Sequence, residues 1–422
     1  MSNLIQPDFK NIEHIDILKA KKTELSNKIP VYLLESGEQD ILKIDFVFRG
    51  GTKYQDKSLV ASTTNSLMQE GTSNWTASQI AEKFDFYGAY WQRFVDRDFA
   101  GFNLYTLTRY TEETLLLAKD ILTNALFSEK ELQIYLQKQK QQLIVDLEKV
   151  SNLARNRFTE VVFGKESQYG KVAAPDDFDL VKRTDILEFY KKFYQANNLY
   201  IFVSGKINEE VLQLLERLFG NDVLTDLNLQ KQALINKPEE NKKHRVNKEG
   251  AVQSAIRIGK QTITKKHADY PGLRFVTTLL GGYFGSRLIK NIREDKGYTY
   301  GIFSAIQSLE EAGAFVIMSE VGSGVCDAAI QEVYNEITRL QTELVTEDEL
   351  QLVKNYMMGD LIRSFDGVFS QSESIRSLID FGLEYDYMLY FIEEIKSITA
   401  EKVMQLAGTY LQIDSLYEVV AG

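Results

Sequence analysis

Between residues 31 and 157 the spacing of apolar positions changes several times. Val31 to Leu34 and Ile41 to Phe48 follow a period near two, which predicts two strands joined as a hairpin across Ser36-Gly37-Glu38. The second strand places Leu42, Ile44, Phe46 and Phe48 on one face and Lys43, Asp45 and Arg49 on the other. From Leu59 the period becomes helical: Leu59, Val60, Thr63 (through its methyl), Leu67 and Met68 recur on one side, and Gly71 stops the run. Next come a short helix from Gln79 ending at Gly88, strands over 90–94 and 101–107, and helices over about 111–126 and 128–157.

The pattern is made twice. Phe127-Ser128-Glu129-Lys130-Glu131-Leu132-Gln133 is echoed, 218 residues on, by Val345-Thr346-Glu347-Asp348-Glu349-Leu350-Gln351. Ser128/Glu131 and Thr346/Glu349 both read as capping boxes opening long helices. Gln195 to Gly205 is echoed by Gln412 to Gly422 at an offset of 217. Two echoes at nearly one offset imply a tandem duplication of a mixed helix-and-strand unit, with a whole domain as its period. The halves are expected at 1–220 and 251–422. The polar, aperiodic span 221–250, including Asn236-Lys237-Pro238-Glu239-Glu240, reads as a linker.

The second half opens with a strand over 252–258. In Gly281-Gly282-Tyr283-Phe284-Gly285 no Gly-Lys-Ser/Thr follows, so a tight helix-to-helix turn is expected rather than a phosphate loop. Ser286 is placed to cap a helix whose apolar side is Leu288, Ile289 and Ile292, with Gly297 as its stop. The following strand, Tyr298 to Phe303, puts Tyr298 and Tyr300 on one face.

Composition narrows the function. The chain has 422 residues, enough for more than one core, with 44% hydrophobic and 26% charged residues. A net charge of −11 argues against nucleic acid, whose phosphates need a basic surface. A single cysteine, Cys326, forbids an internal disulfide and fits a reducing compartment. With no basic-then-apolar leader and no long apolar run, a cytoplasmic protein without a membrane span is expected. His14, His244 and His267 have no ligand spacing and read as surface residues. Trp75 and Trp91, near the Gly71 helix, read as core.

Ser62 and Ser66 are four apart on that helix, with Asn65 beside them and Gly71-Thr72 after them. This frame resembles the active-site helix of the pitrilysin/insulinase (inverzincin) metallopeptidases, whose H-x-x-E-H precedes a Gly-Thr pair. Ser62 and Ser66 then stand where the zinc-binding histidines belong, and Asn65 where the catalytic Glu belongs. Neutral hydroxyls and an amide are poor zinc ligands, and Asn cannot take a proton from water. Asp146 and Glu148 are the carboxylates available near the expected third ligand, and one carboxylate does not hold zinc.

The resemblance extends to the Gly-Ala turn, to Arg97-Asp98, and to Ser286-Arg287-Leu288 through Arg293-Glu294, Gly297 and Tyr300. It implies two α/β-roll domains, each a mostly antiparallel sheet packed with helices, in a clamshell α+β arrangement. It also implies that Arg293 and Tyr300 reach a substrate carbonyl. From residue types alone, Arg293 paired with an acid and Tyr300 packed remain the alternative.

The expectation is a zinc-less, non-catalytic subunit of a two-chain peptidase. Arg293 and Tyr300 then assist in trans, peptide is the substrate, and zinc belongs to an H-x-x-E-H partner. The alternatives are a structural or peptide-holding homologue, as in respiratory-complex core subunits that share this fold, and a stand-alone metalloprotease.

Overall fold

The computed structural model describes residues 15–221, 234–235 and 237–422. The first half contains strands β1 (Lys21–Glu24), β2 (Pro30–Glu35), β3 (Ile41–Phe48), β4 (Tyr90–Val95), β5 (Ala100–Leu107) and β6 (Leu199–Gly205). Its helices are α1 (Val60–Leu67), α2 (Ala77–Phe86), α3 (Thr111–Asn124), α4 (Glu129–Asp146), α5 (Val150–Phe163), α6 (Arg183–Phe193) and α7 (Glu209–Phe219). The second half contains β7 (Lys243–Val246), β8 (Gln253–Thr262), β9 (Thr299–Ser308), β10 (Gly313–Gly322) and β11 (Tyr417–Ala421). Its helices are α8 (Tyr270–Thr277), α9 (Cys326–Thr342), α10 (Glu347–Ser364), α11 (Val368–Asp380), α12 (Tyr385–Ser397) and α13 (Ala400–Tyr410).

The two sheets run β1-β2-β6-β3-β5-β4 and β7-β11-β8-β10-β9. Five strands correspond one to one. In each sheet the strand from the second echo, β6 or β11, lies parallel to one neighbour (β2 or β7) and antiparallel to the other (β3 or β8). The hairpin expected between 31–34 and 41–48 is therefore not formed, because β6 is inserted between its two strands. The pattern identified both strands correctly, but a strand more than 150 residues away takes the hydrogen bonds.

The helix expected over 128–157 is two helices, broken at 147–149. Ser128 and Thr346 cap α4 and α10 by accepting the backbone N–H of Glu131 and Glu349. The reciprocal half of the expected capping box is made at neither Ser128 nor Thr346; at α10, Glu349 instead takes Arg287 in a two-point ion pair with both contacts at 2.8 Å. Of the span 221–250, residues 222–233 and 236 lie outside the described residues, as does His14. Its described part includes β7, whose Lys-His-Arg-Val sequence hides a strand behind charge.

Each sheet packs one face on its own core. In the first, Leu42, Ile44, Phe46 and Phe48 meet α1, α3, α6 and α7. In the second, Ile256, Ile258, Phe315 and Ile317 meet α8, α9, α10 and α13. The opposite face of each sheet is covered by a helix from the other half. Helix α5 lays Phe158, Val161 and Val162 against Ala314, Val316, Tyr417 and Val419. Each of these large side chains contributes about 1.5–3 kcal/mol by leaving water. Helix α11 lays Ile375 on Leu34 and Phe202. The polar face of β3 is buried under α11 rather than solvated: Lys43 Nζ bonds Asp45 at 2.9 Å and reaches Ser372 at 3.4 Å. Among the described residues no helix is long and apolar enough to cross a membrane.

Candidate functional site

Helix α1 carries the three positions of the lost zinc motif. The Ser66 hydroxyl oxygen is 2.8 Å from the Ser62 carbonyl and 2.9 Å from the Tyr135 hydroxyl, and the Arg93 guanidinium donates to it. A carbonyl only accepts, so the one Ser66 proton goes to Ser62. Tyr135 and Arg93 then both donate to the Ser66 oxygen. Ser62 turns its own hydroxyl back to the Leu59 carbonyl at 3.1 Å. Asn65 is fully buried and donates to the Gly101 carbonyl at 3.3 Å.

Burial pushes the neighbouring Tyr194 phenol up, and the Asn65 side chain partly offsets this. Neither Asn65 Oδ1 nor the Tyr194 hydroxyl has a partner in full hydrogen-bond geometry. A zinc ion does not fit here. The available oxygens are neutral, both serine hydroxyls are already engaged, and a guanidinium cation stands against the position of the second ligand. Among the described residues no three His, Cys, Asp or Glu side chains are grouped to hold a metal. Asp146 faces Lys149, and Glu148 faces Lys248.

The nearby tryptophans are structural. Trp91 stacks between Phe84 and Phe102, with ring centroids 5.6 and 4.7 Å away, and Lys83 lies over the Trp75 ring.

In the second half, α8 continues into a π-helical turn, Thr278–Gly282, and the chain reverses over 283–286 into a segment that is π-helical over Ile289–Asp295. Leu288, Ile289 and Ile292 are buried as expected, and Gly297 ends the segment with φ +63°. The Ser286 hydroxyl makes no cap; it is buried without a partner. Tyr298 precedes β9 and packs on the second core, whereas Tyr300 is 92% exposed, so the two differ in environment.

Arg293 and Tyr300 are brought together. The guanidinium carbon lies 5.4 Å from the Tyr300 ring centre and 4.7 Å from that of Phe284. Among the described residues, no ion pair occupies Arg293. Tyr300 stands on the rim of a cleft of about 560 Å³ lined also by Arg257, Phe303, Met318 and Glu320.

His244 is buried rather than on the surface. Its Nε2 is 2.8 Å from the Asn241 carbonyl and so donates, leaving Nδ1 to accept from Arg157 at 3.1 Å. His267 is exposed.

Pattern reading passed over one buried site. Lys53 Nζ lies 2.9 Å from Asp98 and 2.7 Å from Glu310, which comes from the β9–β10 turn of the other half. Burial opposes the Lys53 charge, but Asp98 and Glu310 overcome it and hold the ammonium well above its ordinary range. The only sequence signal was Arg97-Asp98.

A duplicated α+β fold, a helix with Ser62, Asn65 and Ser66 at the zinc-motif positions and an adjoining Arg293 and Tyr300 are the features in which the chain resembles the pitrilysin/insulinase peptidases. The comparisons agree. Residues 181–357 match the family model described as the peptidase M16 inactive domain. An uncharacterized zinc protease of Rickettsia felis is 24% identical, over 92% of this chain and 93% of its own length. A non-peptidase homolog, YmxG of Helicobacter pylori, is 20% identical over 92% of this chain and 90% of its own. The crystal structure of a peptidase M16 inactive domain from Pseudomonas fluorescens superposes with a TM-score of 0.85. It covers 96% of this chain and 98% of its own, at 20% identity. The chain is thus similar, in sequence and in fold, to M16 peptidase inactive-domain proteins, and its α1 carries Ser62, Asn65 and Ser66 in place of a zinc motif.

Proposed function

We propose that this chain is the non-catalytic subunit of a two-chain peptidase, presenting Arg293 and Tyr300 to a peptide held against a partner that carries H-x-x-E-H and the zinc. The observation that carries this reading is the contrast between the two motifs. Ser62, Asn65 and Ser66 are tied into α1 and its neighbours, while Arg293 and Tyr300 stand side by side with no ion pair among the described residues, Tyr300 at the rim of an open cleft. A guanidinium and a phenol there donate to the scissile carbonyl and to the charge that develops on it, worth about 3–4 kcal/mol per donor.

The test is to mix the chain with an H-x-x-E-H partner and assay peptide cleavage. Arg293→Ala and Tyr300→Phe are each expected to lower turnover by about 10²–10³-fold with the complex still formed. Unchanged turnover in both rejects the role.

A second reading, a structural or peptide-holding homologue, is favoured by the similarity to a relative named as a non-peptidase. Isolation with a non-peptidase assembly, and no stimulation of any H-x-x-E-H chain, supports it.

A further inference from the structure

The cleft beside Tyr300 has a cationic floor that no ion pair among the described residues neutralises. Gln253, Ala255 and Arg257 alternate along β8 on the face that lines it. Arg257 is half-buried and donates to the Met318 sulfur at 3.1 Å, a weak acceptor. Among the described residues no carboxylate lies within ion-pair distance of it. Glu320, also in the lining, is exposed and only close enough to act through space.

Helix α5 enters the same place. Ser151 lines the cleft, and Arg155, four residues on along the same helical face, is exposed and makes no ion pair among the described residues. Arg155 repels Arg257 on one side and Arg97 on the other. Burial and this repulsion lower both of their pKa values. A chain of net charge −11 thus gathers three guanidiniums where its halves meet. Like charges so placed are costly until an anion joins them, and arginine forks suit a carboxylate.

We infer that Arg155 and Arg257 form a carboxylate-binding subsite for peptide in the Tyr300 cleft. This rests on the peptide-holding role proposed above and adds the substrate class: a peptide bearing a carboxylate at a set distance from the carbonyl held by Arg293 and Tyr300. Phe303, Met318 and Arg257 are aligned across β9, β10 and β8. Two strand spacings sideways and three residues along β9 put Arg257 about 14 Å from Tyr300, or about four residues of extended peptide. The carboxylate comes either from an Asp or Glu side chain or from the peptide's C-terminus.

The experiment measures binding to the full chain alone, by fluorescence anisotropy, so that catalysis is not required. The probes are three rhodamine-labelled peptides of one backbone sequence: one with a single Glu and an amidated end, its Gln counterpart, and that Gln peptide with a free C-terminus. One carboxylate peptide is expected to bind at least about tenfold tighter than the amidated Gln peptide. Which of the two does so identifies the source. Arg155→Gln, at an exposed helix position, and Arg257→Gln should each reduce that ratio to below about threefold, while the distant Arg363→Gln leaves it intact. Equal binding of all three peptides, or a preference undiminished in both variants, overturns the carboxylate subsite while leaving the peptide-holding role standing. Failure of every probe to bind overturns both.

Discussion

Lys53→Met tests whether the two halves are locked by buried charge. In the folded chain Lys53 is 6% exposed, between Asp98 at 6% and Glu310 at 10%, with contacts of 2.9 and 2.7 Å. Removing one partner from a buried ion cluster costs about 3–5 kcal/mol, because the remaining charges stay desolvated. Here the residual partners soften the loss. Asp98 keeps the Tyr169 hydroxyl and the Glu310 backbone N–H, and Glu310 keeps Arg49. The lower end, about 3 kcal/mol, is therefore expected. Urea unfolding of Lys53→Met, Glu310→Gln and the double variant gives the coupling, expected at about 2 kcal/mol. Burial pushes the Glu310 carboxyl up, but Lys53 and Arg49 outweigh it and hold the carboxyl below its ordinary range. Its contribution is thus present above the ordinary glutamate pKa and lost as the pH falls through the lowered value. A cost under about 1 kcal/mol, the level of an exposed pair, refutes the reasoning.

Three further outcomes are expected. Burial raises the Asp380 carboxyl to about 6, against the pull of Arg376 and Tyr200 and with Asp96 and Asp45 nearby. A raised carboxyl stabilises below its unfolded pKa and loses that contribution as the pH climbs through about 6, a change of about 3 kcal/mol at 1.36 kcal/mol per unit. Urea midpoints between about pH 4 and pH 6 should therefore slope less in Asp380→Asn than in the parent, and identical slopes contradict this. The triple variant S62H/N65E/S66H should not gain zinc while Arg93 and Tyr135 fill the site; near-stoichiometric metal by mass spectrometry would show the site to be open. In Gly259→Ala the new Cβ would lie 1.9 Å from the Phe315 carbonyl oxygen. A loss of about 1–3 kcal/mol or more is expected in thermal melts, and an unchanged melting temperature argues against so close a strand approach.

Local signals read well in the sequence. Period, capping residues and the Gly71 and Gly297 stops located α1, the starts of α4 and α10 and the Arg293 segment within a few residues, and the echoes pointed to the duplication. Signals that depend on distant chain did not. No local pattern shows β6 entering between β2 and β3, because pairing partners are chosen by the whole sheet. His244 reads as a surface residue because polar residues usually are, and Lys43 and Asp45 read only as the polar face of a strand; the tertiary structure supplies the partners that let all three be buried. The cleft's Arg257 was invisible for the same reason: its significance lies in Arg155, brought there by a helix from the other half.

That exchange of helices has a historical reading. α5 and α11 begin 218 residues apart, the spacing of the first echo, and each roofs the sheet of the opposite half. Two identical subunits trading one helix each across a twofold axis would make the same seam. The gene thus reads as a fused ancestral homodimer. Its halves, cut at the connecting segment and expressed apart, should be insoluble singly yet complement each other when made together.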